Sequence, residues 1–223
     1  MFNEFSKRNK AVRAALVLAE QRDWGDVTLP DIARHAGLDL AELRREFSCK
    51  SDILRAFQSE VDAEVLSKST PGPDQSVRDR VFDMVMTRFE VMAPYKPALK
   101  RIACHLRCRP GEASALACST LGAQYWMLAG AGAKLDGAPG AVRVAGLTAI
   151  YGRVFKVWLE DASPSHDKTM ATLDRALGNG ERTLERMDKT CSMLCGLLPR
   201  GWKRSSGPKD QPPASGPSPA TSV

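Results

Sequence analysis

Apolar side chains recur every three or four residues along most of this chain, and Gly, Pro and Ser/Asp clusters cut the pattern into pieces. That period places one apolar face along a helix. Alternating β-branched runs and Asn-Gly hairpin signals are missing, so the sequence predicts an all-α fold. A first helix spans 4–22, with Val12, Leu16 and Ala19 on one face, and Asp23-Trp24-Gly25-Asp26 ends it. Short helices follow at 30–36, 40–47 and 52–66, with Thr28, Asp39 and Ser51 as candidate N-caps and Gly37 as the break between the first two. Ser69-Thr70-Pro71-Gly72-Pro73 is the clearest linker. An amphipathic helix then carries Val77, Val81, Val85, Phe89 and Met92 on one side. Pro94 and Pro97 turn the chain into a basic helix at 98–107, which Arg109-Pro110-Gly111 stops. Longer helices are expected at 112–133, 141–160 and 165–187, with breaks at 137–140 and 161–164 and a last apolar piece at 191–198. From 205 onward the Ser/Pro/Gly-rich composition reads as disordered.

Two short helices joined by a Gly-containing turn and packed on a longer first helix make a helix-turn-helix. Leu29, Ile32, Ala33 and Ala36 supply the buried side of the second helix, and Leu38, Leu43 and Phe47 that of the third. Together with Phe47-Ser48-Cys49-Lys50-Ser51-Asp52-Ile53-Leu54, the stretch resembles the N-terminal domain of TetR-type transcriptional regulators over about 50 residues. The resemblance implies a TetR-like architecture: a three-helix head at 1–50 and a larger ligand-binding and dimerisation body at 51–190. It also implies a homodimer that grips double-stranded DNA with two heads and holds a small ligand in the body. The DNA-contacting candidates are the basic arm Lys7, Arg8 and Lys10, then Thr28, Arg34, Leu40, Arg44, Arg45 and Lys50. Two positions depart from the family. It usually has Tyr where Arg44 stands and His or Tyr where Glu46 stands, residues that commonly touch the DNA backbone. The third helix here carries Asp39, Glu42 and Glu46 against Arg44 and Arg45, and acids aimed at phosphates weaken binding.

Charge permits that partner without selecting it. The 223 residues carry a net charge of +6, which suits nucleic acid or an anionic membrane surface. No stretch reaches the ~20 apolar residues of a membrane span, and the polar, basic first ten residues lack a signal-peptide core. The expected address is cytoplasmic, with peripheral contact at the inner membrane as an option. That option rests on 191–204, where Leu194, Leu197, Leu198, Trp202, Lys203 and Arg204 mix apolar, aromatic and cationic side chains; 205–223 forms the tail.

In the body, Met84, Phe89, Tyr125, Trp126, Met127, Tyr151, Phe155 and Trp158 fall on helices expected to face one another. Apolar pockets are lined this way, with a few polar groups fixing orientation; core filling is the alternative. Val91 to Leu99, Ala149 to Arg153 and Trp158 to Met170, with Asp161-Ala162-Ser163-Pro164 as the most specific part, resemble the ubiquinone-biosynthesis accessory lipid-binding family. That second resemblance implies a dimeric, non-DNA-binding lipid carrier at the membrane surface, and it stands as the alternative to the regulator.

Catalysis is not expected. His35, His105 and His166 have no partners at metal-ligand spacing, and no phosphate loop or Gly-x-Ser-x-Gly elbow is present. No catalytic residue, metal or cofactor is assigned. The six cysteines, Cys49, Cys104, Cys108, Cys118, Cys191 and Cys195, read as free thiols and small buried side chains. Cys104/Cys108 and Cys191/Cys195 are four apart, which on a helix gives each pair one face.

Overall fold

The computed structural model describes residues 6–69, 72 and 74–197, and the side chains of all of these except 115, 185 and 187–197. Among the described residues there are helices and no strands: α1 (Lys7–Gln21), α2 (Leu29–Ala36), α3 (Leu40–Glu46), α4 (Lys50–Lys68), α5 (Val77–Met92), a 3-10 turn (Ala93–Tyr95), α6 (Lys96–Arg107), α7 (Pro110–Gly130), α8 (Gly137–Glu160) and α9 (Asp167–Leu197). The chain divides into two compact units, Met1–Leu184 and Glu185–Val223. The second holds the final turns of α9.

Local chemistry sets the first three helices. Thr28 caps α2: its hydroxyl oxygen accepts from the Asp31 N–H at 3.3 Å, and the Asp31 carboxylate accepts from the Thr28 N–H at 3.1 Å. Asp39 and Glu42 repeat the box on α3, at 2.6 and 3.1 Å. Gly37 between them sits at φ +67°, a left-handed conformation that other residues adopt only at a cost. Ile32, Ala33, Leu43 and Phe47 are buried against Val12, Leu16 and Ala19 of α1 in one core that continues into the body. Helix α1 packs on α2 and on α6, and α4 on α5 and α7.

Several boundaries differ from expectation. Helix α4 begins at Lys50, capped not by Ser51 but through Asp52, whose carboxylate accepts from the Ser48 and Cys49 N–H groups at 2.8 and 3.1 Å. The 137–140 stretch opens α8 rather than breaking the chain, because Pro139 falls in the first turn, where its missing N–H has no partner to lose. Gly140 is required there: a Cβ would lie 2.0 Å from the Leu135 carbonyl oxygen. The two C-terminal pieces at 165–187 and 191–198 are one helix, α9, through Leu197. No described helix is long and apolar enough to cross a membrane. The membrane candidates lie outside the described residues: this holds for the side chains of Leu194 and Leu197, for Leu198, Trp202, Lys203 and Arg204 altogether, and for the 205–223 tail.

Candidate nucleic-acid interface and body core

Helix α3 presents Leu40, Ala41, Arg44, Arg45 and Glu46 to solvent. Leu40 is 52% exposed although apolar. The helix's other acids are occupied. Asp39 is the N-cap, and Glu42 accepts both from the Asp39 N–H and from the Lys7 ammonium at 2.7 Å. Those two bonds hold the Glu42 carboxyl below its ordinary range, Lys7 contributing most. Asp31 is likewise held low, first by the Thr28 hydroxyl and N–H and then by Arg22 at 2.9 Å. Outward cations are present: Lys10, Arg34, Arg44 and Arg45 are exposed, Arg34 facing Asp31 at 3.4 Å and Arg44 reaching Ser48 Oγ at 3.4 Å. Arg8, an exposed residue, holds its guanidinium over the Phe47 ring at 5.0 Å. Thr28 is exposed at the start of α2.

Lys50 takes another role. Its ammonium donates to the Trp24 and Val27 carbonyls at 2.8 and 2.9 Å and sits 4.8 Å over the Trp24 ring. Burial pushes its pKa down. It clamps the loop between α1 and α2, so its charge is turned inward. Sequence spacing gives no sign of this, since the bonds span 23 and 26 positions.

The body candidates separate into three groups. Phe89, Tyr151, Phe155 and Trp158 come together: Phe89 stacks on Tyr151 and Trp158 at 5.6 and 5.2 Å, and Phe155 on Tyr151 and Trp158 at 5.9 and 5.7 Å. Met84 is buried elsewhere and borders a cleft of about 190 Å³ with Lys68, Arg80, Thr87 and Gly130. Tyr125 and Trp126, expected to line a pocket, are instead 45% and 59% exposed, edge to face with each other on the outside of α7. Their helix has an apolar residue or a small one at nearly every position, so periodicity could not tell its inner face from its outer one.

Sequence reasoning missed the polar centre of the body. Arg88, 1% exposed, pairs with Asp62 and donates Nε–H to the Tyr151 hydroxyl at 3.1 Å. Arg88 falls inside the apolar period of α5, where only its charge marks it. Gln124 is also fully buried, and neither its amide nitrogen nor its oxygen has a partner among the described residues; the same holds for Trp158 Nε1. Gln58 of α4 meets Ser119 and Thr120, and Leu66 approaches Gly130, a register that puts Gln124 at the level of Asp62.

The Asp161-Ala162-Ser163-Pro164 stretch ties α8 to α9. Asp161, 2% exposed, accepts from Ser163 N–H and Oγ at 3.1 and 2.6 Å and from Thr169 N–H and Oγ1 at 3.0 and 2.8 Å. These bonds, Ser163's foremost, hold its carboxyl well below the usual range. Lys96 donates to the Asp161 carbonyl at 2.6 Å and lies 4.9 Å over the Trp158 ring. The four cysteines whose side chains are described, Cys49, Cys104, Cys108 and Cys118, are exposed rather than buried. At α6 and α7 the polar or outward positions fall to them, while Ile102, Leu116 and Ala123 take the inward ones.

No protein-family model matches the chain. No curated protein matches it either. Solved structures do. It is similar to the TetR transcriptional regulator from Nitrosomonas europaea, 21% identical, TM-score 0.64, covering 79% of this chain and 98% of that one. A TetR transcriptional regulator from Rhodococcus sp. RHA1 is 17% identical at TM-score 0.56, covering 78% and 95%. A TetR-family regulator from Streptomyces coelicolor is 15% identical at TM-score 0.54, covering 90% and 93%. The resemblance of the body to the ubiquinone-biosynthesis accessory family gains no support from these neighbours. Among the described residues the chain is all-helical, and it has the TetR-type fold.

Proposed function

We propose that this protein is a one-component transcriptional regulator, a homodimer that binds double-stranded DNA through α1–α3 and a small apolar ligand in the body. The carrying observation is the disposition of charge on α3. Of the acids at its cap and along it, Asp39 and Glu42 are tied within the protein, while Arg44 and Arg45 outnumber the one exposed acid, Glu46, beside Leu40. In a helix-turn-helix the first residues of the second helix meet base edges. Leu40 there suits a thymine methyl, and Arg44 and Arg45 suit guanine edges or phosphates. Lys7, Arg8, Lys10, Thr28 and Arg34 flank them as backbone contacts; Lys50 supports the loop instead. Residues 1–50 form the head in this reading and 51–190 the body.

In this reading the ligand's apolar contact is the ring cluster of Phe89, Tyr151, Phe155 and Trp158, which here is packed closed on itself with Phe155 at its half-buried edge. The partnerless Gln124 amide and Trp158 N–H are polar anchors for the ligand. Dimerisation uses α8 and α9, as exposed Val142, Ala145, Ala149 and Gly152 along α8 form an uncharged strip with small side chains. The reading assigns no reaction, metal or cofactor.

The test is fluorescence anisotropy of the full chain on the intergenic DNA upstream of its own gene, titrated in salt. Specific binding with a steep negative salt slope is expected. Arg44→Ala with Arg45→Ala should cost about 1–3 kcal/mol for each base-edge hydrogen-bonded pair it removes. Binding no tighter than to random DNA would overturn the reading, and unchanged binding by the double variant would remove α3 from the interface.

A further inference from the structure

Free cysteine is among the most buried residue types, yet the four cysteines whose side chains are described are all exposed. Two of them share the end of α6. Cys104 lies in its last full turn, and Cys108 caps it at φ −95°, ψ 2°, with its N–H donating to the His105 carbonyl at 3.2 Å. Residues four apart on a helix carry Cβ atoms roughly 5–6 Å apart. A disulfide needs about 3.5–4.5 Å, so the pair does not close on itself while the helix is intact. A single ion between the sulfurs fits better: with metal–sulfur bonds of about 2.3 Å, a linear S–metal–S unit spans about 4.6 Å.

The surroundings choose the ion. No group of three or more His, Cys, Asp or Glu among the described residues could hold a metal. That disfavours zinc, which takes three or four protein ligands. Soft thiolate donors select copper(I), which is content with two. Binding releases two thiol protons and leaves a bis-thiolate unit of net charge −1. Lys100, Arg107 and Arg109 are exposed cations on the same helix and its exit, and they favour such an anion; Arg101 beside them faces Asp23 at 3.5 Å. The Glu112 carboxylate beside them already faces His105 at 3.6 Å. We propose that Cys104 and Cys108 form a two-thiolate site for a soft monovalent cation, copper(I), on the surface at the end of α6. The site stands independently of the DNA-binding reading.

Cys191 and Cys195 have the same spacing, so the test starts from the full chain carrying Cys191→Ser and Cys195→Ser. The reduced protein is titrated anaerobically with copper(I) against the chromogenic chelator bicinchoninate. About one equivalent withheld from the chelator is expected, with X-ray absorption showing sulfur neighbours only. Cys104→Ser and Cys108→Ser should each abolish that equivalent, because a two-ligand site has no spare ligand. Cys49→Ser and Cys118→Ser should leave it intact. All four side chains are exposed, so helicity measured by circular dichroism should be unchanged in each variant. Retention of the equivalent after removal of either Cys104 or Cys108, or its disappearance with Cys49 or Cys118, would overturn the assignment.

Discussion

Thr28 with Asp31 and Asp39 with Glu42 are pairs three residues apart on the exposed surface of α2 and α3. The polar groups that organise the body meet across 26, 63 and 65 positions, and they are buried or half-buried: Arg88 with Asp62, Arg88 with Tyr151, Lys96 with the Asp161 carbonyl. The first kind of interaction forms as soon as its helix does, and water can replace it at little cost. The second kind forms only when distant helices have docked, and water replaces it poorly if one partner is removed. The two kinds of pair therefore differ in what a substitution does. At the exposed pairs of α2 and α3 it should alter what the surface offers a partner; at the buried long-range pairs it should alter whether the chain stays folded.

Arg88 tests this hardest. Arg88→Leu keeps much of the volume but strands Asp62 and removes the donor to the Tyr151 hydroxyl. Removing one partner of a buried ion pair costs about 3–5 kcal/mol. The lower end is expected, because the Asp62 side chain is still 21% exposed to water. Urea unfolding followed by circular dichroism measures it. A destabilisation no larger than that of a surface variant would mean that the polar centre of the body is dispensable and the contrast false.

Asp161→Asn comes next. The neutral amide keeps the shape but weakens four bonds donated by Ser163 and Thr169, at a total cost of about 1–3 kcal/mol. The sign with pH follows from the lowered carboxyl. Its folded pKa lies below the unfolded value of about 3.9, so its stabilisation is fully present above that value and is lost as pH falls through the folded one. The stability gap between the protein and Asp161→Asn should be level between about pH 5 and 7 and narrow below about pH 4. A gap that ignores pH would assign the destabilisation to packing rather than to charge.

What is legible in the sequence follows the same division. The caps at Thr28 and Asp39 and the break at Gly37 are readable because the residues lie within one turn of each other. Ser51 is a plausible cap by type, but Asp52 reaches back to the Ser48 and Cys49 N–H groups and starts α4 a residue before it. In the body, apolar spacing locates α5 and α8 and gathers Phe89, Tyr151, Phe155 and Trp158. It fails at Tyr125 and Trp126, since α7 has an apolar or small residue at nearly every position and offers no distinct polar side by which to orient it. Lys50 and Arg88 are beyond its reach for one reason: a long cationic side chain is as ready to face water as to bond buried carbonyls or carboxylates, and only the docked partner decides. The Asp161 stretch, read as a family mark, has a sufficient physical explanation as the knot between α8 and α9.

Gly37→Ala sharpens the comparison from the head's side. Nothing lies within 4 Å of a Cβ built at Gly37, whose φ is +67°. Its cost is thus purely conformational, about 1 kcal/mol. The destabilisation should appear in urea unfolding at the same size at low and high salt. A much larger one would mean that the turn between α2 and α3 supports more of the core than its exposure suggests.

Glu42→Gln should leave stability almost untouched, which is why it isolates the surface. Glutamine still serves the capping box, because its side-chain oxygen can accept from the Asp39 N–H. What it cannot do is hold Lys7, whose ammonium now lies 2.7 Å from the Glu42 carboxylate. The variant removes one negative charge from α3 and frees one cation. If α3 and the Lys7 arm face DNA, each added phosphate contact steepens the dependence of log affinity on log salt by about 0.9. Glu42→Gln should therefore bind the upstream DNA more tightly at low salt, with a slope steeper by about one, while its urea midpoint stays where it was. Binding that weakens instead would make the Lys7–Glu42 tie part of the interface, a strut that fixes the arm for contact rather than a restraint that withholds it. Binding that does not change at all would place both residues outside the contact and leave Arg44, Arg45 and Glu46 as the charges of α3 that DNA can feel.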